Sequence, residues 1–227
     1  MQSEPPQAEP PKRKRRWFQF SLRTMMIFTL ICAIPCAWLG NKIEQKRRER
    51  EVVKAIRDFG GLVTFDYEMV GGSSFPPPRP EAPGPTWLRD LLGQDFFSDV
   101  GEVILLGRNF GDDDLEKLKG FTQLQSLNLD ATKVTNSGLT NLNGFTQLRF
   151  LSLDKTEIDD AGLANLKGLA HLQYLYLNNT NVGDAGLASL KELTELRTLS
   201  LSKTKATDAG VRDLQRSLPN CRIRISH

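Results

Sequence analysis

Apolar residues recur with a fixed spacing of 24 residues in the second half of the chain. Four successive blocks begin LQSLNLDATKVT, LRFLSLDKTEID, LQYLYLNNTNVG and LRTLSLSKTKAT. In each block the apolar residues first lie two apart and later three apart. The first spacing is typical of a strand with one buried face, and the second suits a short helix. A fixed period in the twenties predicts stacked repeats that bury their apolar faces against one another.

The repeats keep equivalent residues in equivalent places, which a helical bundle with leucine stripes would not do. A threonine follows each strand, and its hydroxyl is predicted to bond loop backbone that stacking removes from water. A polar residue precedes each short helix as a candidate N-cap. The core strand positions are Leu127, Leu151, Leu175 and Leu199, with Leu129, Leu153, Leu177 and Leu201. The threonines are Thr132, Thr156, Thr180 and Thr204, and the candidate caps are Asn136, Asp160, Asp184 and Asp208.

The pattern continues beyond the four clear blocks in both directions. A degenerate first repeat is predicted to begin at Val100, because apolar residues fall on the expected positions from there to Phe121. At the other end, Ile223 and Ile225 continue the two strand ladders, and terminal repeats are expected to be atypical. Charged residues that flank them would protect an open sheet edge from pairing with another chain. These residues are Arg222 and Arg224.

The block pattern LxxLxLxxTxVTDxGLxxLxxL resembles the leucine-rich repeat. The likeness is to the variant shared by GALA-type bacterial repeats and the cysteine-containing repeats of F-box proteins, with Thr here in place of Cys. It covers residues 100–227. The resemblance implies an α/β fold, a right-handed leucine-rich repeat solenoid with its parallel sheet on the concave side and short helices on the convex side. The predicted terminal strand closes this domain.

The N-terminal part of the chain has a different character. Residues 1–16 are rich in Pro, Gln and charge and are predicted to be a disordered basic tail. Residues 17–40 are predicted to form a transmembrane helix, because the apolar stretch is 19 residues long from Leu22 to Gly40. Trp17 and Trp38 lie near its ends, where aromatic residues prefer the interface. The chain is therefore expected to contact the lipid bilayer through residues 17–40.

A cleaved signal peptide is the main alternative to a retained signal-anchor. Ala37-Trp38-Leu39 is a poor cleavage site, and neither Cys32 nor Cys36 follows a small residue as a lipoprotein acceptor would. Counting Lys and Arg on the two sides does not decide orientation, but the compact basic cluster Lys12–Arg16 in a short tail favours a cytoplasmic N-terminus. The expected location is the cell membrane, single-pass, with extracytoplasmic repeats.

Two segments connect the predicted span to the repeats. Residues 41–61 are predicted to be a charged helical connector that ends at Gly60-Gly61. Residues 62–99 are predicted to be an N-terminal capping region with a Pro-rich loop. Bacterial single-span membrane-anchored leucine-rich repeat proteins are similar here, with sequences like GGLVTFDYE and WLRDLLGQDFF. The side chains predicted to cover the open end of the core are Phe65, Trp87, Leu91, Leu92, Phe96 and Phe97.

Charge and motif content argue against several functions. Residues 1–60 carry 13 Lys and Arg against 6 Asp and Glu, whereas residues 61–227 carry 17 against 21. The positive charge thus lies outside the repeats, and no nucleic-acid partner is expected. No phosphate-binding loop, zinc spacing or nucleophile elbow occurs. The prediction is a non-enzyme without cofactor, metal or small-molecule substrate, in which Asp112-Asp113-Asp114 do not converge on a cation.

The concave surface is the predicted site of binding. Aromatic residues cluster on two adjacent middle strands beside amides and carboxylates, which is the usual chemistry of an interaction hot spot. The alternative is that they are ordinary exposed strand residues. Asp130 and Asp154 are expected side by side, either holding a cation, sharing a proton or neutralised by Lys133 and Lys155. The predicted partner-binding residues are Phe150, Tyr174, Tyr176, Asp130, Asp154, Asn178, Asn179 and Lys155.

Two functional hypotheses follow for this surface. The first is a membrane-anchored module that binds a protein, or an envelope polymer, through its concave sheet. The second is a structural scaffold or adaptor in a membrane complex. An F-box-like substrate-adaptor role comes third, because a predicted membrane span stands where an F-box-like segment would be expected.

Overall fold

The computed structural model describes residues 22–69, 82–93, 95–105, 107 and 109–226. Helix α1 extends over Leu22–Asp58 and therefore ends just before the two glycines that the sequence marks as a helix stop. Over the part of the chain that is described, none of the helices has the length and apolar character that a bilayer crossing requires.

The chain divides into two compact units, Met1–Lys42 and Ile43–His227. In the first unit, the predicted tail at residues 1–16 lies outside the described residues. So do residues 17–21 of the predicted span and most side chains of residues 22–32. The second unit contains the repeats and all the strands of the described chain.

The second unit alternates strands with short helices. Its strands are β1 (Leu62–Phe65), β2 (Val100–Ile104), β3 (Ser126–Asn128), β4 (Phe150–Ser152), β5 (Tyr174–Tyr176), β6 (Thr198–Ser200) and β7 (Arg222–Arg224). Its α-helices after α1 are α2 (Thr86–Leu92), α3 (Asp112–Lys117), α4 (Asp160–Leu163), α5 (Asp184–Ser189) and α6 (Asp208–Ser217). Segments of 3₁₀ helix cover Asp66–Met69, Leu118–Gly120, Gly138–Gly144, Ala164–Leu166 and Leu190–Glu192.

The strands form one sheet of seven in sequence order. β1 pairs antiparallel with β2, and every later pair is parallel. Leu127 lies beside Leu151, which lies beside Leu175 and then Leu199, and all four side chains are 0% exposed. The predicted register is therefore confirmed: each strand residue in the four clear blocks pairs with the residue 24 positions away.

The degenerate first repeat and the terminal strand are also confirmed. Val103 pairs with Leu127 in parallel register and is fully buried. Ile223 pairs with Leu199 at the far end and is partly buried against the core. The Arg222 and Arg224 side chains flank Ile223 and are exposed, as an edge strand requires.

The residues that cover the N-terminal end of the core are not all the ones that the sequence predicted. Val53 and Ile56 of α1 are 6% and 2% exposed and belong to the core cluster, so the segment predicted as a connector packs on the repeats. Trp87 and Leu91 are 65% and 73% exposed, so they do not cover the core. They share one face of α2, whose seven residues bury no side chain. The short helix turns this apolar face to solvent because α1 already occupies the end of the stack.

The other predicted capping residues differ among themselves. Phe96 is 3% exposed and Phe65 is partly buried against the core. Phe97 is 39% exposed and packs edge-on against Phe96, with ring centroids 5.0 Å apart. Leu92 is half-buried.

A buried lysine links α1 to the loop before β2, and the sequence pattern did not predict it. Lys46 is 2% exposed, and its Nζ donates to Glu49 Oε2 at 2.7 Å, Asp99 Oδ1 at 2.8 Å and the Ser98 carbonyl at 2.6 Å. Burial lowers the pKa of Lys46, but the bonds and charges of Asp99 and Glu49 outweigh it, so the pKa is raised. Three acceptors make a buried ammonium tolerable here.

The threonine ladder is confirmed. Each hydroxyl donates to the carbonyl of the leucine three residues earlier, at 2.6–2.8 Å. These carbonyls lie at the end of the strand in turns that stacking covers. The bonds join Thr132 to Leu129, Thr156 to Leu153, Thr180 to Leu177 and Thr204 to Leu201.

The predicted aspartate caps are wrong by one residue. Helices α4 and α5 begin at Asp160 and Asp184, so these residues are the first helical residues and the preceding residue is the N-cap. Their carboxylates instead reach the next repeat. Asp160 Oδ1 accepts from Gly183 N at 2.6 Å, and Asp184 accepts from Thr207 N at 2.8 Å and Thr207 Oγ1 at 2.7 Å. Equivalent bonds join Asp112 to Thr135 and Asn136 to Asp159.

These bonds explain the glycine that stands two residues after Asn136, Asp160, Asp184 and Asp208, because each glycine lies against the polar residue of the preceding repeat. A Cβ added to Gly186 would lie 2.5 Å from Asp160 Oδ1 and 3.0 Å from the Asp160 Cα. The carboxylate that ties one repeat to the next therefore occupies the space of a side chain. Three more glycines meet the same obstruction, namely Gly138 against Asp112, Gly162 against Asn136 and Gly210 against Asp184.

Gly186→Ala should destabilise the repeats by about 1–3 kcal/mol, because the added methyl overpacks the site and displaces Asp160. Gly144→Ala is the matched control, since a Cβ there has no neighbour within 4 Å. It should be neutral or stabilise by up to about 1 kcal/mol. Urea unfolding of the full chain followed by circular dichroism measures both. Equal midpoints for the two variants would contradict the proposed tie.

Candidate partner-binding face

Two rows of side chains cover the open side of the sheet, which we call the sheet face. They alternate with the buried leucines, because successive strand residues point to opposite sides. The first row is Glu102, Ser126, Phe150, Tyr174, Thr198 and Arg222. The second row is Ile104, Asn128, Ser152, Tyr176, Ser200 and Arg224.

The three predicted aromatic residues meet at the centre of this face. Phe150 lies beside Tyr174 in the register of β4 and β5, and its ring centroid is 5.4 Å from that of Tyr176. Phe150 and Tyr176 are half-buried, while Tyr174 is 36% exposed. Small neighbours leave room for the rings: Ser152, beside Tyr176, is 3% exposed.

The predicted polar residues form a hydrogen-bonded ladder along the carboxyl ends of the strands. Asp130 Oδ1 accepts from Ser152 Oγ at 2.5 Å and from Asp154 N at 3.0 Å. Asp154 in turn accepts from Asn178 N at 2.7 Å and Asn178 Nδ2 at 2.9 Å. Asn178 Oδ1 continues the ladder to Ser202 N at 2.8 Å. Each side chain thus satisfies backbone of the following repeat.

Asp130 and Asp154 are adjacent as predicted, and of the two lysines expected to neutralise them, the charge of Lys155 acts on Asp154. Neither lysine forms an ion pair with either carboxylate among the described ion pairs. The two carboxylates instead accept hydrogen bonds from a serine hydroxyl, an asparagine amide and backbone N–H groups. Burial raises the pKa of Asp154 most. The Asn178 bonds lower it, the charge of Asp130 raises it, and the charge of Lys155 lowers it slightly. The net pKa is above the ordinary value of 3.8.

The two remaining predicted residues lie in the turn after the strand. Lys155 and Asn179 are exposed and have φ of 58° and 56°. The sequence pattern did not predict this left-handed backbone, which Asn tolerates better than Lys. The conformation recurs at Ala131 and Lys203. It turns each backbone N–H toward the carbonyl of the next strand end, as from Lys155 N to Asn178 O at 2.8 Å.

The other candidate groups lie apart from this face. Asp112 bonds Thr135 and Asp114 pairs with Lys117 at 2.7 Å. Within the described residues no group of three or more Asp, Glu, His or Cys is arranged to hold a metal ion. Cys221 is buried, and burial raises the pKa of its thiol to about 11.

Asp130→Asn should lower the pKa of Asp154, because it removes a like charge while an amide oxygen still accepts the bonds of Ser152 and Asp154 N. A raised folded pKa favours folding below the unfolded value and loses that contribution as pH rises through the folded value. The variant should therefore lose less stability than the native chain as pH rises above 3.8. Carboxyl ¹³C NMR titration measures the pKa, and Asp213 is the internal control because Lys191 lowers its pKa independently. An unchanged Asp154 titration would show that Asp130 has no influence on it.

Comparison with solved structures finds proteins whose backbone resembles part of this chain. No family model matches the sequence, and no curated protein matches it. A leucine-rich repeat protein of Leptospira interrogans is 21% identical over 48% of this chain, with a TM-score of 0.40. Internalin C2 of Listeria monocytogenes is 26% identical over 59% of this chain and 75% of its own, with a TM-score of 0.39. The ectodomain of the Arabidopsis thaliana receptor kinase SOBIR1 is 15% identical over 79% of this chain and 92% of its own, with a TM-score of 0.43.

This chain spans only 27% of the Leptospira protein's length. Its own geometry shows the architecture more directly: a repeat with a 24-residue period, leucines stacked in register and a parallel sheet from β2 to β7. The described repeats therefore have the architecture of a leucine-rich repeat sheet, with buried leucines stacked in register.

Proposed function

We propose that this chain is a membrane-anchored, non-catalytic module that binds a protein partner through its sheet face. The observation that carries the proposal is the aromatic cluster on β4 and β5. Tyr174 is 36% exposed and stands beside Phe150, which contacts Tyr176. Tyrosine buries a large amphipathic area on binding with little loss of conformational entropy, and it is enriched at interface hot spots.

The scaffold beneath the cluster supports the same conclusion. The leucines behind it, such as Leu151 and Leu175, are 0% exposed, and the polar ladder bonds the strand ends on one side. Side chains on a rigid sheet lose little conformational entropy when they become ordered in a complex. Most of the free energy of their contacts therefore contributes to affinity. This arrangement favours recognition over the alternative that the rings are ordinary exposed strand residues.

The charges on the face favour a polypeptide partner. Asp130 and Asp154 lie at one edge of the aromatic cluster, and Lys155 lies in the adjoining turn. A nucleic acid would need a continuous basic surface, which mixed signs do not provide. An envelope polymer with hydroxyl groups is the alternative ligand for aromatic rings that stand beside amides.

Membrane anchoring is part of the proposal and rests on the sequence of residues 17–40. Nineteen residues from Leu22 to Gly40 are apolar apart from Arg23 and two threonines, a length close to the roughly 20 that a bilayer requires. The basic tail before them supports a cytoplasmic N-terminus with the repeats outside the cytoplasm. An accessible partner would then be extracytoplasmic.

A scaffold role in a membrane complex is the second candidate, favoured by the apolar face of α2 with Trp87 and Leu91 exposed. An F-box-like adaptor role ranks third. Proximity labelling from the repeat domain in the native cell separates the first two. Soluble extracytoplasmic partners support recognition by the sheet face, and integral membrane partners other than a second copy of this chain support the scaffold.

The double variant Tyr174→Ala, Tyr176→Ala should lose the labelled partners, because it removes the centre of the face without touching the buried leucines. Trp87→Ala is the control, since it removes an aromatic residue that is more exposed than either tyrosine and lies away from the sheet. Its partner set should be unchanged. If the tyrosine variant keeps its partners while Trp87→Ala loses them, the sheet face is not the binding site.

A further inference from the structure

The sheet face changes in charge from one end of the stack to the other. β2 carries Glu102, whose Oε1 accepts from Ser126 Oγ at 3.0 Å. β7 carries Arg222 and Arg224, both exposed. Between these ends the rows hold serine, threonine, asparagine and the aromatic cluster. Of the six parallel strands, the first therefore carries a carboxylate, the middle pair carries the aromatic cluster and the last carries two arginines, while β1 extends the sheet beyond Glu102 with Thr64.

The aromatic cluster lies at the midpoint between the charged ends. Six parallel strands run from β2 to β7, and β4 and β5 are the middle pair. A two-fold axis parallel to the strands, between β4 and β5, would place a second copy face to face with the first. It would set β2 over β7, β3 over β6 and β4 over β5. Such an interface uses the same surface on both copies.

At the outer strands this axis brings opposite charges together. Glu102 of one copy faces Arg222 of the other, and the contact occurs twice. Ile104 faces the aliphatic stem of Arg224. Just before the strands begin, exposed Arg197 of one copy faces Gln125 of the other copy, so no second cation lies opposite it.

At the central strands the axis matches large side chains with small ones. Ser152 on β4, 3% exposed, faces Tyr176 on β5, and Phe150 faces Tyr174. Asp154 faces Asn178. None of these described pairs sets like charges against each other.

The other simple face-to-face axis runs across the strands and gives the opposite result. It would lay β2 on β2 and β7 on β7. The arginines of β7 would then face one another, Glu102 would lie close to its own copy, and the bulky tyrosines of β5 would meet. Like charges that face each other repel, so the charges favour the first axis.

We propose that the protein partner of the sheet face is a second copy of this chain, related by the two-fold axis parallel to its strands. This inference rests on the proposed function and names the partner. The face is about 24 Å long from β2 to β7 at the usual strand spacing. The strands from β3 to β7 have only three residues each, so the face is narrow, with an area of roughly 300 Å² per copy. A stable dimer buries about 800 Å² per copy, so association in solution is weak, and tethering to one membrane would raise the effective concentration.

Two charge-reversal variants test the pairing. Glu102→Arg and Arg222→Glu each set like charges against each other at both ends of the homodimer. Each should lower the association constant at least about tenfold. In an equal mixture the variants complement each other, because the new cation of one variant faces the new carboxylate of the other and the native pair remains at the opposite end. Sedimentation equilibrium of the full chain in a density-matched non-ionic detergent measures this, from low micromolar to submillimolar concentration.

The expected result is weak dimerisation of the native chain, lost in each single variant and recovered in the mixture. Higher salt should weaken the native dimer. If Glu102→Arg fails to fold by circular dichroism, Arg222→Glu with and without Glu102→Gln replaces it. The neutral glutamine should then restore part of the association.

A native chain that stays monomeric at the highest concentration overturns the inference. So does a mixture that associates no better than its components. If the chain is monomeric but the tyrosine double variant still loses its labelled partners, the self-association fails and the proposed function stands. If the chain dimerises and the tyrosine variant dimerises equally well, contact between copies does not use the sheet face and the self-association proposal fails. The proposed function fails as well only if that variant also keeps its labelled partners.

Discussion

The register of the stack is the constraint on which the rest of the structure depends. Each repeat places its side chains directly beside those of the next. A hydrogen bond between a polar side chain and the backbone of the next repeat can therefore recur at equivalent positions along the stack. At the carboxyl ends of the strands, Asp154 accepts from the backbone N–H of Asn178 at 2.7 Å. At the helix starts, Asp184 accepts from the backbone N–H of Thr207 at 2.8 Å. The buried leucines supply the hydrophobic free energy, and these two lines of polar contacts keep neighbouring repeats from sliding.

Much of this architecture could be predicted from one sequence, because a strict period makes every repeat a test of the others. The parallel sheet, the leucine register, the threonine bonds and the terminal strand follow from that period. The predicted caps are wrong by one residue because aspartate is common both at the N-cap and at the first helical position. The two positions are told apart here by the hydrogen bonds that Asp160 and Asp184 accept from the next repeat. Lys46 could not be predicted because its partner Asp99 lies 53 residues away, beyond any local pattern.

At the N-terminal end of the stack, the sequence pattern predicts the wrong residues to cover the core, for a different reason. Trp87 and Leu91 have the spacing of a buried helix face, yet they are exposed because Val53 and Ile56 of α1 already cover the core. The helical spacing of those two residues is visible in the sequence, but a helix rich in charge is typical of a connector. The aromatic centre of the sheet face was predicted correctly as a cluster. Its midpoint position between acidic and basic ends needed the strand order.

Amide hydrogen exchange at the helix starts tests the account most directly. The first amides of an isolated helix lack partners and exchange quickly. Here Gly183 N and Thr207 N donate to carboxylates of the preceding repeat at 2.6 Å and 2.8 Å. NMR-detected exchange should find both amides protected to nearly the same degree as strand amides such as Leu177 N, which bonds Ser200 O at 2.9 Å. Exchange of both at the rate of an unstructured peptide, while the strand stays protected, would contradict this register of polar contacts.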